Sequence, residues 1–258
     1  MASIILEQHE GVASITLNRP DKFNSFNREM ALQLQHMLDL CHDDETIRAV
    51  YLTGSGKAFS AGQDLGEITG DNAISFDLIL KEHFNPIIRK IRQLPKPVVC
   101  AVNGVAAGAG ANIALCCDIV VASETASFIQ AFSKIGLIPD SGGTFFLPRL
   151  VGFQQASALM MLGDKVSATD AARLGMVYKT FPEESFNSES MGIAQTLSRM
   201  PTLGLALTKE ALNRSMENTL SQQLEMEDEL QFKAAHTSDY QEGVNAFMEK
   251  RSPLFTGK

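Results

Sequence analysis

Residues 96–112 read KPVVCAVNGVAAGAGAN, and this stretch decides the fold. Its first half, residues 98–102, is an unbroken apolar run that predicts a buried strand. Pro97 stands directly before this run and stops the helix that is expected upstream. The three glycines of residues 104–110 then turn the chain into a short helix rich in alanine. A buried strand, a glycine turn and a helix in this order indicate the crossover unit of an α/β fold.

The same rhythm occurs earlier in the chain. Residues 49–53 predict a strand, and a loop of small residues follows it at 54–66, with the sequence AFSAGQDL at residues 58–65. Before this unit, residues 4–6 and 12–17 predict a hairpin. The repetition predicts crossover units around one sheet.

Helices dominate the second half of the sequence. Asn27 is a suitable N-cap for an early helix, but beyond Pro139 the pattern is almost wholly helical. We expect helices near residues 142–151, 153–162, 169–174, 185–200, 203–216, 219–235 and 239–250. The simplest interpretation is one domain with a helical C-terminal part.

The charge balance excludes two classes of partner. Lys and Arg number 22 and Asp and Glu 30, which gives a net charge of -8. A nucleic-acid or anionic-membrane surface is therefore not expected. A phosphorylated ligand needs only a local basic patch, for which Lys22, Lys57, Arg89 and Lys250 are candidates.

The cysteines and the N-terminal sequence indicate a cytoplasmic protein. None of the four cysteines forms a CxxC pair, and Cys116 and Cys117 lie in an apolar run, so free thiols in a reducing compartment are expected. The first residues lack the basic start and apolar stretch of a secretory signal. No apolar run reaches the ~20 residues that cross a bilayer.

Two glycine-containing turns are the first candidate for a functional site. Small residues at 58–65 and 103–112 let main-chain N–H groups approach a ligand, and a helix start adds unpaired donors. Two such turns that face each other would form an oxyanion hole. The alternative is that these glycines only permit tight turns and close packing.

Other catalytic and ligand-binding motifs fail. Residues 54–57, GSGK, lack the remainder of a phosphate-binding P-loop. Ser141 and His236 stand in the wrong order for a chymotrypsin-like pair, and the all-β pattern of that class is absent. The five histidines are scattered without metal-ligand spacing, so no metal site is expected. Asp140 lies between a proline and a predicted helix, where it is either a functional carboxylate or a helix cap.

Four stretches together resemble the crotonase (enoyl-CoA hydratase/isomerase) superfamily. They read LNRP at residues 17–20, FSAGQDL at 59–65, KPVVCAVNGVAAGAG at 96–110 and GLIPDSGG at 136–143. The resemblance runs from Ile4 to Lys258. It implies a crotonase-like repeated ββα core at residues 1–200, which holds the CoA and active site, and a C-terminal helical trimerisation region at residues 201–258, the two forming one continuous structural unit. It also implies a homotrimer or a dimer of trimers.

The resemblance also implies the site. The substrate would be an acyl-CoA, with CoA as part of the substrate and no prosthetic group. The N–H groups of Ala61 and Ala109 would bind the thioester oxygen. The catalytic set is expected to be Asp140, Ala61, Ala109 and Asn112. The CoA-binding set is expected to be Lys22, Phe23, Ser25, Ser60, Ala61, Gln63, Asp64, Leu65, Phe247 and Lys250, the last two often reaching CoA from a neighbouring subunit.

The departures from the family pattern favour isomerisation. Asn112 and Phe132 stand where the hydratases of the family carry two glutamates, and neither side chain can deprotonate water at neutral pH. Asp140 matches the carboxylate of several isomerases, and a nearby apolar pocket of Phe132, Ile135 and Ile138 is expected to raise its pKa by desolvation. Residues 106–111, 131–140 and 250–258 are similar to the family's isomerases of ring epoxides, so we expect such a substrate. A Δ3,Δ2-enoyl-CoA isomerase, an enoyl-CoA hydratase and a non-catalytic acyl-CoA-binding or scaffold subunit remain alternatives.

Overall fold

Two sheets form the framework of the protein. The computed structural model describes residues 2–69 and 74–258. The larger sheet has the strand order β1-β2-β3-β5-β7-β10, and a smaller sheet has the order β4-β6-β8-β9. The strands are β1 (Ile4–His9), β2 (Val12–Leu17), β3 (Ala49–Gly54), β4 (Ala58–Ser60), β5 (Val98–Val102), β6 (Val105–Ala107), β7 (Ile119–Ser123), β8 (Ser127–Ile129), β9 (Lys165–Ser167) and β10 (Lys179–Phe181).

The predicted hairpin is confirmed. Strands β1 and β2 pair antiparallel with His9 opposite Val12, so Glu10 and Gly11 form a two-residue turn. Their φ angles of 46° and 79° are those that a type I′ hairpin turn requires. The other neighbouring strands of the larger sheet pair in parallel.

Burial on both faces explains why β5 reads as a continuous apolar run, as predicted for residues 98–102. Val98, Cys100 and Val102 belong to the main core cluster. Val99 and Ala101 point to the opposite face and pack in a second cluster with Phe186. Central parallel strands covered on both faces have this composition.

Helices cover both faces of the larger sheet and fill the C-terminal part. The helix bounds are α1 (Arg28–Asp43), α2 (Phe76–Leu78), α3 (Asn85–Gln93), α4 (Ala109–Leu115), α5 (Gly143–Val151), α6 (Phe153–Leu162), α7 (Ala168–Arg173), α8 (Glu183–Ser198), α9 (Thr202–Ser215), α10 (Leu220–Ala235) and α11 (Ser238–Glu249). A π-helical segment, Ile79–Phe84, joins α2 to α3. Asn27 caps α1 as predicted, because its side chain accepts a hydrogen bond from the Met30 amide at 3.0 Å.

The smaller sheet was missed by sequence reasoning, although it positions the site. Residues 58–60 were expected to be loop but form β4, which pairs in parallel with β6. The region beyond Pro139, expected to be helical, contains β9 and β10. Strands of three residues are too short to show the period-two pattern of a strand.

The C-terminal helices contact the sheet region through a buried ion pair. Lys209 of α9 lies 2.7 Å from Asp118 and also donates to the carbonyl of Ile91 at 2.7 Å. The division at residue 200 and the trimerisation role of residues 201–258 stay predictions. In residues 2–69 and 74–258, no helix has the length and apolar character to span a bilayer. The same residues contain no metal-binding group of three or more His, Cys, Asp or Glu side chains.

A glycine between β5 and β6 is expected to be required for this packing. A Cβ at Gly104 would lie 2.8 Å from the main-chain carbonyl carbon of Lys57 and 3.1 Å from Ala58 Cα. Because main-chain atoms cannot swing aside, Gly104→Ala is expected to lower the free energy of unfolding by about 1–3 kcal/mol. Urea unfolding followed by circular dichroism measures the change.

Gly192 provides a matched control in helix α8. A Cβ at Gly192 meets no heavy atom within 4 Å. Gly192→Ala is therefore expected to raise the free energy of unfolding by roughly 0.5–1 kcal/mol through helix propensity. Equal effects of the two substitutions would contradict the steric argument.

Candidate active site

A cavity of about 390 Å³ lies where the two glycine-containing turns meet. Both turns follow strands of the smaller sheet, and the 3-10 helix Ala131–Ile135 and the loop before α5 close the other side. The described residues that line it are Lys22, Ser25, Ala61, Gly62, Gln63, Leu65, Ile68, Gly108, Ala109, Ala131, Phe132, Lys134, Ile135, Leu137 and Asp140.

The two turns are in direct contact. A Cβ at Gly62 would lie 2.9 Å from the Ala107 carbonyl oxygen and 3.3 Å from the Ala109 nitrogen. A Cβ at Gly110 would lie 2.6 Å from the carbonyl oxygen of Ser60. Glycine is therefore needed at both positions for close main-chain approach. The expectation that the turns face each other is confirmed.

The amide that the first turn offers to the cavity is that of Gln63, not of Ala61. The Ala61 N–H donates to the Phe23 carbonyl at 2.9 Å, so its assignment as an oxyanion donor was wrong. Gln63 lies opposite Phe26 in a parallel bridge. The two hydrogen bonds of this bridge join Phe26 to the residues before and after Gln63, not to Gln63 itself. The Gln63 N–H points away from that bridge and has no acceptor among the described residues.

The second turn presents the amide of Ala109. Ala109 is the first residue of α4, so its N–H has no partner within the helix. It also has no acceptor elsewhere in residues 2–69 and 74–258. Gly108 precedes it with φ 53° and ψ −128°, a conformation that glycine tolerates. Free donors at a helix start favour a partial negative charge.

Asp140 supplies the acid of the cavity. Burial raises the pKa of its carboxyl group, and a hydrogen bond from Ser141 Oγ at 2.7 Å opposes this by lowering the pKa. Because the folded-state pKa exceeds the unfolded value, ionisation of Asp140 reduces stability as the pH rises through that interval. Burial thus raises the pKa of this weak base in the direction of neutral pH.

A strained turn follows Asp140 and directs its side chain. Ser141 has φ 51° and Gly142 has φ 74°. The Asp140 carbonyl accepts from the Gly143 N–H at 2.8 Å and from Asn112 Nδ2 at 2.8 Å. Ser141 is 2% exposed and engaged with Asp140, while His236 is exposed and contacts the Phe232 carbonyl. This arrangement agrees with the rejection of a serine–histidine pair.

Apolar side chains line the cavity together with Asp140. Phe132 and Ile135 line the cavity, as expected from their position in sequence, together with Leu137. Ile138, also expected there, is 81% exposed and lies outside the cavity lining. Proximity in sequence thus identified Phe132 and Ile135 but not Ile138.

Several predicted site residues lie behind the cavity. Ser60 is fully buried and donates to the Asn24 carbonyl, and Asp64 pairs with Arg19 at 2.9 Å and caps the 3-10 helix Leu65–Glu67. Phe23 is half exposed and outside the described lining. Asn112 is 1% exposed and also lies outside the lining. Its side-chain amide donates to the Asp140 carbonyl, and its expected catalytic role stays a prediction.

Phe247 and Lys250 lie at the end of α11, away from the cavity lining. Phe247 is 83% exposed. Their expected contact with CoA from a neighbouring subunit stays a prediction.

Sequence reasoning missed Lys134, Ile68, Leu137 and Gly108 as lining residues. Lys134 is a second cation beside Lys22 in the described lining. Lys134 lies two residues after Phe132 on the segment that resembles the family's isomerases, and this position could have identified it as a lining residue.

Comparisons with known proteins define the class. The family model for enoyl-CoA hydratase/isomerase matches residues 7–258. The chain belongs to the enoyl-CoA hydratase/isomerase family, whose members act on CoA thioesters. The fold expected from the crotonase resemblance is thereby confirmed.

Particular relatives match over the full chain. The chain is 46% identical to 1,2-epoxyphenylacetyl-CoA isomerase from Escherichia coli (strain K12), with 100% of each chain covered. It is 41% identical to a probable enoyl-CoA hydratase from Rhodobacter capsulatus, with 99% of this chain and 98% of the relative covered. A crystal structure of enoyl-CoA hydratase from Bacillus anthracis superposes with a TM-score of 0.93 at 33% identity, covering 99% and 100% of the two chains.

Removal of the Ser141 hydroxyl is expected to change the titration of Asp140. Ser141→Ala deletes the donor that stabilises the carboxylate, so the pKa of Asp140 should rise further above its ordinary value. Carboxyl-carbon NMR titration of the labelled protein measures it. Ser133→Ala, at an exposed serine of the 3-10 helix Ala131–Ile135, is the control and should leave the titration unchanged. An unchanged or lower midpoint in Ser141→Ala would contradict the assignment.

Proposed function

We propose that the protein isomerises a CoA thioester, converting ring-1,2-epoxyphenylacetyl-CoA to oxepin-CoA. One observation carries the choice of isomerisation: Asp140 is the one carboxyl group among the described residues of the cavity lining. The full-length similarity to an epoxyphenylacetyl-CoA isomerase supports the ring-derived substrate.

The main-chain amides of Gln63 and Ala109 would bind the thioester oxygen. Removing a proton beside a thioester carbonyl moves negative charge onto that oxygen, and preorganised donors stabilise the charge. Loss of one such donor typically costs roughly 2.7–4 kcal/mol of barrier. Amide donors suit this role because they stay protonated throughout.

Asp140 would move the proton. Its carboxylate takes a proton from the carbon beside the carbonyl. The C–C bond that the epoxide shares with the six-membered ring breaks, which expands the ring to the seven-membered oxepin, and the resulting carboxyl group returns the proton to a ring carbon, so no atom is gained or lost. The pKa raised by burial makes this exchange easier near neutral pH.

Hydration is the second candidate function, because a hydratase relative is nearly as similar. Addition of water needs a held water molecule and commonly a second acid/base group. Asn112 and Phe132 occupy the two positions where the resemblance places glutamates, and neither titrates. Isomerisation is therefore favoured over hydration. Rates on aliphatic and ring-derived thioesters would separate isomerisation of the ring epoxide from Δ3,Δ2-enoyl-CoA isomerisation.

The CoA portion would be held partly by a second subunit. Lys22 and Lys134 line the cavity and are candidates for contacts with the CoA phosphates. Phe247 and Lys250 would close over CoA from a neighbouring protomer. This part of the proposal requires a homotrimer, alone or paired as a dimer of trimers.

Asp140→Asn is expected to abolish turnover while thioester binding persists. The amide has nearly the same shape but cannot accept the substrate proton. Calorimetric binding of the thioester and exchange of its α-proton in deuterated buffer measure the two properties separately. Asp43→Asn, at an exposed carboxylate at the end of α1 and outside the cavity lining, is the control and should leave both properties unchanged. Near-normal turnover by Asp140→Asn would refute the proposal.

Ala109→Pro is expected to test the oxyanion donor directly. Proline is tolerated at the first position of a helix, where its missing N–H breaks no helical bond. The variant should lower kcat by about 10²–10³-fold, as for loss of one oxyanion donor. Ala109→Gly keeps the N–H and should retain most activity. Equal activity of the two variants would exclude the Ala109 amide.

A further inference from the structure

We infer that Asn112 and Gln130 are a positioning pair that sets Asp140 relative to the Ala109 amide. The inference rests on the proposed function, since it concerns the same proton transfer. Neither side chain belongs to the described cavity lining, and neither carries a titratable group. They act through the main chain of Asp140.

Asn112 joins the two halves of the site. It lies three residues after Ala109 on α4, so one turn of helix fixes the two relative to each other. Its Nδ2 donates to the Asp140 carbonyl at 2.8 Å. One short side chain therefore connects the helix that presents the amide to the loop that carries the carboxyl group.

Gln130 fixes the orientation of the Asn112 amide. Its Nε2 donates to Asn112 Oδ1 at 2.8 Å. Because the Asp140 carbonyl can only accept, Asn112 Nδ2 must face it and Oδ1 must face Gln130. The two side chains are 1% and 3% exposed. If Gln130 lost its donor, Asn112 could turn its oxygen toward the Asp140 carbonyl and repel it.

The pair of side chains leaves one buried polar atom without a protein partner among the described residues. Gln130 Oε1 is buried and has no partner among the described residues. A buried polar atom left unpaired costs stability. Gln130 therefore donates to Asn112 while its own Oε1 stays unpaired. Such local losses of stability are common where a geometry serves function.

Close packing transmits the position of Asn112 to the loop. A Cβ at Gly143 would lie 2.8 Å from Asn112 Cγ. The Asp140 carbonyl accepts from both the Gly143 N–H and Asn112 Nδ2. The loop rests directly on the Asn112 amide, so a displacement of that side chain must move Asp140 as well.

The test measures α-proton exchange, kcat and KM of the intact protein with ring-1,2-epoxyphenylacetyl-CoA as the thioester. Asn112→Ala is expected to slow exchange and lower kcat about 10- to 100-fold, as a misplacement of about 1 Å does, with little change in KM. Gln130→Ala should have a smaller effect. The double variant should be no slower than Asn112→Ala, because both residues act through one contact.

Asn213→Ala is the matched control for the loss of an amide side chain that both donates and accepts hydrogen bonds. Asn213 accepts from Arg92 Nε at 3.0 Å and donates to the Arg92 carbonyl at 2.9 Å, outside the described cavity lining. It should lower the melting temperature and leave kcat unchanged. Should Asn112→Ala fail to fold, Gln130→Met replaces it, since a thioether cannot donate to Asn112 and the variant should also slow exchange.

Two results are distinguishable. A wild-type protein that exchanges the α-proton, with Asn112→Ala or Gln130→Met exchanging equally fast, overturns the positioning role and leaves the proposed function intact. Additive losses in the double variant also overturn it. A wild-type protein that exchanges no thioester proton overturns the proposed function itself.

Discussion

The parallel pairing of β4 with β6 is the constraint on which the site depends. Carboxyl ends of parallel strands meet at one edge, so the turns after β4 and β6 must be neighbours. Glycines at 104 and 110 remove the side chains that would keep these segments apart. The free amides of Gln63 and Ala109 then reach one cavity, and α4 begins where the second amide is needed.

The site carries costs that the rest of the fold must offset. Burial disfavours the Asp140 carboxylate, Ser141 adopts a positive φ, and two amides lack protein acceptors among the described residues. The larger sheet supplies the opposing stability, since β5 is buried on both faces. Such a division of labour lets a rigid scaffold hold a locally strained arrangement.

The sequence predicted the parts whose pattern is long or chemically marked. Residues 98–102 were assigned correctly because five consecutive apolar residues have few other interpretations. The three-residue strands were missed because they show no period. The choice of Ala61 over Gln63 failed for a different reason: the direction of an N–H depends on the backbone angles around Gly62, which composition does not specify. Ile138 was misplaced because nearness to Asp140 in sequence does not specify whether a side chain faces the cavity or solvent.

Recognition through the main chain has an evolutionary consequence. Every residue except proline carries the same N–H, so under the proposed function substitutions at positions 63 and 109 keep the donors to the thioester oxygen as long as the backbone path survives. In the proposed function, proton transfer belongs to a side chain, that of Asp140, and not to these amides. Changes of side chains can thus alter the reaction while the two proposed main-chain donors to the thioester oxygen are kept.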